Sequence, residues 1–260
     1  MTRAVILAAG EGTRLRPLTE RLPKALVPLN GTPLLTRQLK VLRCAGICEV
    51  SLVAGHCAEA FGASGLPVFL NPSYAKTNMV ASLWCARSLF RGDDDVLVCY
   101  SDIVYEPRVL QAVLAASAQV VVAVDLGWQD LWRLRMDDPL ADAETMKLDT
   151  EGCILELGRK PRSLADIEGQ YLGLFKVDRA FAPHFFKRYE QWPLDLPFET
   201  RPIDRIFMTS YLQHQIDHGV KARAATFHHG WLEVDSLQDL RVYEDAHAAG
   251  LLAKLYNGEA

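Results

Sequence analysis

Two groups of residues in this chain have types and spacing that could do chemistry. The first is a loop, AAGEGTRLRPLTERLPKALVP, where Gly10 and Gly12 stand beside Arg14, Arg16, Arg21 and Lys24, directly after an apolar run. Glycine lets backbone amides come close to a ligand and accepts φ > 0, while guanidinium and ammonium groups pair with phosphate oxygens. Such a loop suits a polyphosphate. The second group is acidic and divided: Asp102 in VLVCYSDIVYEP, and Glu233 with Asp235 in GWLEVDS. Carboxylates are the donors a hard divalent cation prefers, and alternation in an extended segment turns Glu233 and Asp235 to one side.

The elements that must position these groups follow from periodicity. RAVILAA, EVSLVA, LPVFL, DVLVCY and QVVVAVD are short β-branched runs, the form of strands covered on both faces. Between them, PLLTRQLKVLRCAG, VASLWCARSLF and EPRVLQAVLAASA have the helical period. This alternation predicts an α/β, Rossmann-like fold with a mostly parallel sheet and helices on both faces. Ligands of such sheets gather beyond the carboxyl ends of the strands, where the glycine- and arginine-bearing loop leaves the first strand. From about Asp125 the rhythm changes. Polar segments precede weaker strands in CILELGR and GQYLGLFKV, a helical stretch from Pro202 to His218, a strand in KARAATF and a last helix around Ser236 to Ala249. This later part reads as a smaller β elaboration of the same sheet, so that 1–260 forms one domain.

Composition narrows the function. A formal charge of −4 and a pI near 6.0 argue against a nucleic-acid surface, so any anion binding must be local. No apolar run reaches membrane-spanning length, and the N-terminal run is shorter than a signal-peptide core, which predicts a cytoplasmic protein without membrane insertion. The six cysteines contain no CxxC pair and are expected to be buried, reduced thiols. His214 and His218 have the i, i+4 spacing of zinc ligands, but no third ligand or HExxH pattern accompanies them.

Two familiar phosphate loops do not fit. GEGTRL has Leu15 where a dinucleotide fingerprint has its third glycine, and no GK followed by Ser or Thr is present. The segment from Leu7 through Leu35 instead resembles the nucleotidyltransferase signature LAAGxGxRLxPLTxxxPKxLxPxxGxPLL. The resemblance implies that Leu7, Ala8, Ala9, Gly10 and Gly12 hold the base, and that Arg14 and Lys24 hold the triphosphate as catalytic cations. It also implies Mg²⁺ as cofactor, on Asp102, with Glu233 and Asp235 as the second ligand set. A helix cap for Asp235 and a surface position for Glu233 are the plainer alternatives. By this resemblance, residues 1–125 form a nucleotide-binding part, 126–235 an acceptor and metal part, and 236–260 a C-terminal helix.

TNMVASL, DDPLADAETMKLD, EGQYLGLFKV and MTSYLQHQIDHG further resemble the phosphocholine and phosphonate cytidylyltransferase branch. That branch implies CTP as donor, Asn78 and Ser82 near the nucleoside, and a small anionic phospho- or phosphono-alcohol as acceptor. A helix cap is the plainer alternative for Asn78. Lys160 would approach the acceptor's phosphate or stand in solvent. For the acceptor's other end, Trp128, Trp132 and Tyr171 supply aromatic faces, and Asp142, Glu144 and Asp204 supply negative charge, unless the aromatics are core. A sugar-1-phosphate nucleotidyltransferase using UTP or dTTP is the rival reading, weakened by the lack of a clear EKP, and a non-catalytic nucleotide-binding regulator is a second. Oligomeric state, a homodimer included, is open at this level.

Overall fold

The computed structural model describes residues 1–192 and 201–258. Seven strands form the main sheet: β1 (Thr2–Ala8), β2 (Val50–Ala54), β3 (Val68–Leu70), β4 (Asp95–Tyr100), β6 (Val120–Asp125), β9 (Gln170–Val177) and β10 (Ala222–Phe227). Their order across the sheet is β10-β6-β9-β4-β1-β2-β3. All neighbours run parallel except β9, which is antiparallel to both β4 and β6. The continuous apolar runs explain the layering. Ala4, Ile6, Leu97, Cys99, Val121 and Ala123 face one buried cluster, while Val5, Leu7, Val96, Val98, Val120 and Val122 face another. The later part of the chain thus enters the first sheet through β9 and β10.

Helices α1 (Leu34–Cys44), α2 (Met79–Cys85), α3 (Pro107–Ala115), α4 (Trp128–Arg135), α5 (Met208–Asp217) and α6 (Leu237–Ala248) pack on this sheet. Two antiparallel pairs stand beside it: β5 (Ile103–Tyr105) with β11 (Trp231–Glu233), and β7 (Met146–Leu148) with β8 (Ile154–Leu157). The β5–β11 pairing sets Ile103 opposite Glu233, which brings the distant acidic segments side by side.

Three expectations need revision. The stretch from Pro202 to His218 is a 3-10 turn, Ile203–Arg205, then extended backbone at Ile206 and Phe207 before α5 begins. The stretch after Asp125 is not merely polar. Asp125 Oδ1 accepts from Gly127 N at 2.7 Å and turns the chain into α4, whose Trp128, Leu131, Trp132 and Arg135 are buried. Finally, of the six cysteines, all free, only Cys99 is fully buried, while Cys44 and Cys48 are exposed on and after the polar face of α1. Among the described residues no helix is long and apolar enough to cross a membrane.

Candidate active site

β1 delivers the opening loop to the carboxyl edge of the sheet, and three local features fold it back. Gly12 sits in the left-handed region at φ 59°, and a Cβ there would lie 3.2 Å from Lys24 Cβ and Thr19 Cγ2. Thr19 Oγ1 donates to the Gly12 carbonyl at 2.7 Å, and His56 Nε2, from the end of β2, donates to the Thr19 carbonyl at 2.7 Å. Lys24 is thereby turned inward.

Its ammonium lies between two carboxylates, 2.9 Å from Asp102 Oδ2 and 2.7 Å from Asp235 Oδ1. Arg14 approaches the other oxygen of Asp235 at 2.5 Å from the exposed side. Burial works against the Lys24 charge, but Asp102 and Asp235 outweigh it and hold the ammonium above its ordinary value. Burial likewise pushes Asp235 up, and Lys24 with Arg14 brings it below the ordinary aspartate value. A cavity of about 320 Å³ opens over this cluster, lined by Leu7, Gly10, Gly12, Arg14, Lys24, Asn78, Met79, Tyr100, Asp102 and Asp235 among others. One wall is cationic, with Arg14 and Lys24, and the other acidic, with Asp102 and Asp235.

A second cavity of about 170 Å³ shares Met79 and Tyr100 with the first. Trp132, Asp142, Glu144, Gln170, Tyr171, Thr209 and Glu233 line it. Tyr100 and Tyr171 meet edge to face at 5.8 Å between centroids. Room for Tyr100 comes from an irregularity in β9: the register with β6 shifts between Tyr171 and Phe175, and Gly173, at φ 81°, lies where a Cβ would come within 2.4 Å of the Tyr100 ring. Gln170 fastens the Glu144 backbone, donating to its carbonyl at 2.6 Å and accepting from its N–H at 3.2 Å. Burial pushes the Glu144 carboxyl up to about 7, against a 3.3 Å hydrogen bond from Thr209. Trp132 Nε1 is buried without a partner. This wall therefore offers an aromatic face, an unused donor and acidic oxygens.

Of the sequence-predicted residues, Arg14, Lys24, Asp102, Asp235, Leu7, Gly10, Gly12 and Asn78 converge on the first cavity, and Trp132, Tyr171, Asp142 and Glu144 on the second. Ala8 and Ala9 are buried and carry backbone to the rim, where the Ala9 carbonyl accepts from His56 N at 3.1 Å. Asn78 caps α2, its Oδ1 accepting from Met79 N at 2.8 Å, and also lines the cavity.

Others stand elsewhere. Ser82 is buried with its hydroxyl taken by Asn71 Nδ2 at 3.0 Å. Trp128, 1% exposed, packs behind Trp132 in the core, because α4 turns both tryptophans inward but only the second reaches the cavity. The Lys160 ammonium donates to the Leu140 and Ala141 carbonyls and lines neither cavity. Asp204 lies on the 3-10 turn beside α2, where its carbonyl accepts from Asn78 N at 2.8 Å. Arg16 turns to Glu11 at 3.1 Å. The Glu233 carboxylate binds Arg135 at 2.7 Å and lines the second cavity, close enough to Asp102, Asp235 and Lys24 to interact with them electrostatically.

Sequence reasoning missed Tyr100, Met79, Gln170, Thr209 and Arg135. Tyr100 alone had a local signal, as the residue between a buried strand and SD.

No group of three His, Cys, Asp or Glu side chains is arranged around one point among the described residues. Magnesium, however, is commonly held by one or two carboxylates together with substrate phosphates and water. Asp102 and Asp235 supply that pair, and Asp102 Oδ1 is buried with no hydrogen-bond partner. These residues fit the ion.

A mostly parallel sheet with a cationic glycine loop folded against two carboxylates beyond its strand ends defines a nucleotidyltransferase. The chain belongs to the MobA-like NTP transferase domain family, whose profile matches residues 4–181. It is 35% identical over 248 residues to a CTP:phosphoglutamine cytidylyltransferase of Campylobacter jejuni, covering 92% of this chain and 98% of the relative. It is 40% identical over 89 residues to a choline-phosphate cytidylyltransferase of Streptococcus pneumoniae, covering 33% of this chain and 39% of that one. The fold matches an inositol-1-phosphate CTP transferase of T. maritima with a TM-score of 0.74 at 21% identity, over 99% of this chain and 97% of the other.

Proposed function

We propose that this chain is a Mg²⁺-dependent cytidylyltransferase that moves CMP from CTP to a small phosphate- or phosphonate-bearing acceptor and releases pyrophosphate. The observation that carries the reading is the pair of cavities meeting at Met79 and Tyr100, one cationic and suited to a triphosphate, the other aromatic and acidic. CTP as donor is supported by the full-length relative, whose name specifies it.

Leu7, Gly10, Gly12 and Asn78 border the nucleoside and the first phosphates, while Arg14 and Lys24 pair with the triphosphate oxygens. The acceptor's phosphate or phosphonate oxygen forms a bond to the α-phosphorus, and the bond from that phosphorus to the β-phosphate bridging oxygen breaks. The nucleophile is already ionised near neutral pH, so no side chain need remove its proton. Bringing two polyanions together is the main barrier, and cations held in place lower it. Asp102 and Asp235 would hold Mg²⁺, which supplies further charge neutralisation to the phosphates. Trp132, Tyr171, Asp142 and Glu144 surround the acceptor's distal end. Their chemistry favours a group rich in hydrogen-bond donors or carrying a cation.

Pyrophosphate release measured with CTP, UTP, dTTP, ATP and GTP, each against phosphoglutamine, phosphocholine, 2-aminoethylphosphonate and glucose 1-phosphate, tests this directly. Turnover is expected with CTP and an amine-bearing acceptor. Turnover confined to glucose 1-phosphate with UTP or dTTP would instead establish the sugar-nucleotide reading.

A further inference from the structure

We propose that Arg135 is a positioning residue for the metal-binding carboxylate Asp235, acting through Asp239. The inference rests on the reading of Asp102 and Asp235 given above. Arg135 closes α4, and its side chain is 3% exposed. Its Nε donates to Asp239 Oδ1 at 3.0 Å, its Nη2 to Asp239 Oδ2 at 3.4 Å, and its Nη1 to Glu233 Oε2 at 2.7 Å. Asp239 Oδ2 in turn accepts from the backbone N–H of Asp235 at 2.9 Å and of Ser236 at 2.8 Å. One buried fork therefore reaches the backbone of Asp235 through a single carboxylate.

The same fork fixes the other end of the segment. Glu233 is bound by its side chain to Arg135, and its carbonyl accepts from Tyr243 Oη at 3.0 Å. Between them, Val234 N donates to the Asp102 carbonyl at 2.8 Å, tying the segment to the first metal carboxylate. A capping box alone would need only Ser236 and Asp239, which bond each other reciprocally at the start of α6. Arg135 is the addition that neutralises Asp239 and Glu233 together while leaving Asp235 to Lys24, Arg14 and a cation. Its guanidinium also lies 5.3 Å from the ring centre of Trp132, which lines the acceptor cavity, so the metal and acceptor walls share one support. Buried groups that orient metal ligands from behind typically change metal affinity by about 10- to 100-fold when altered.

The test uses Arg135→Lys, which keeps the charge but cannot span both carboxylates, and Arg135→Met/Glu233→Gln, which removes the charge and one partner together. Mn²⁺ binding to the nucleotide-free protein, read by electron paramagnetic resonance, is compared with turnover and with thermal unfolding. Asp102→Asn defines which Mn²⁺ signal belongs to the site. Arg135→Lys is expected to weaken Mn²⁺ binding about tenfold and to lower kcat similarly, with the KM for CTP within about twofold of the parent. The double variant, where Arg135→Lys unfolds, should show the same loss. Mn²⁺ affinity and kcat unchanged in a folded variant would overturn the proposal, as would a change confined to the acceptor KM. So would absence of any Asp102-dependent Mn²⁺ signal in the parent. Pyrophosphate release that fails with every acceptor while the Mn²⁺ effect persists would remove the proposed reaction but leave the role of Arg135.

Discussion

Replacing Glu144 with glutamine isolates the charge of one buried carboxyl in the second cavity. Its folded-state value stands at about 7, against 4.5 for a free glutamate, with burial the leading cause and Asp142 adding to it. An acid raised on folding holds its proton in the native state after the unfolded chain has lost it. Stability is therefore fully present below pH 4.5 and falls as pH rises towards 7, at about 1.4 kcal/mol per pH unit, or about 3 kcal/mol in all. The carboxyl lines a cavity open to solvent, so screening places the measured value at or below this. Glutamine keeps the oxygen that accepts from Thr209 and carries no charge at any pH. Relative to the parent, Glu144→Gln should gain stability between pH 5 and 8, by roughly 6–12 °C in Tm at the upper end if the full value is realised. Glu233, also raised by burial though opposed by Arg135, titrates in both proteins and cancels in the difference. Unfolding followed at pH 5, 6, 7 and 8 provides the comparison. Parallel curves for the two proteins would refute the reasoning, because they would mean that Glu144 ionises as a solvated acid.

Lys24→Met removes the ammonium between Asp102 and Asp235 and leaves two part-buried carboxylates facing each other. Transfer should fall by at least about a hundredfold in kcat, with a loss of about 3 kcal/mol in urea unfolding at neutral pH. Gly173→Ala places a Cβ against the Tyr100 ring at a residue with φ 81°, and should raise the KM for both substrates while costing about 2 kcal/mol of stability. Trp132→Phe deletes the unpartnered Nε1 and, with its smaller ring, widens the second cavity. Steady-state kinetics should show the acceptor KM rising by about tenfold with that for CTP nearly unchanged.

Much of this architecture was legible in the sequence because it depends on local pattern. Continuous β-branched runs announced buried parallel strands, and the length of the glycine, arginine and proline signature fixed the loop. Its carboxylate partners were legible for a related reason: Asp102 follows a buried strand, and Asp235 sits in a short extended segment. What escaped depends on long-range geometry. Glu233 and Asp235 share one extended segment, but the sequence carries no sign of Arg135, 98 residues from Glu233 along the chain, which binds the first while Lys24 and Arg14 bind the second. Trp128 and Trp132 are i, i+4 on α4 and both turn inward, yet only position in the packed layer decides which one reaches a cavity. Lys160 is implied by its motif and Asp204 by its charge alone, and the fold sets Lys160 against the Leu140 and Ala141 carbonyls and Asp204 beside the start of α2. The room that Gly173 leaves for the Tyr100 ring is likewise a cross-strand feature that local pattern does not carry.

The central claim concerns which phosphorus of CTP is attacked. A ³¹P NMR time course with CTP, Mg²⁺ and an amine-bearing phosphate or phosphonate acceptor reads it directly. Stoichiometric growth of pyrophosphate together with a CMP-linked acceptor is the predicted result. Accumulation of CDP or orthophosphate with the acceptor's own signal unchanged would contradict it.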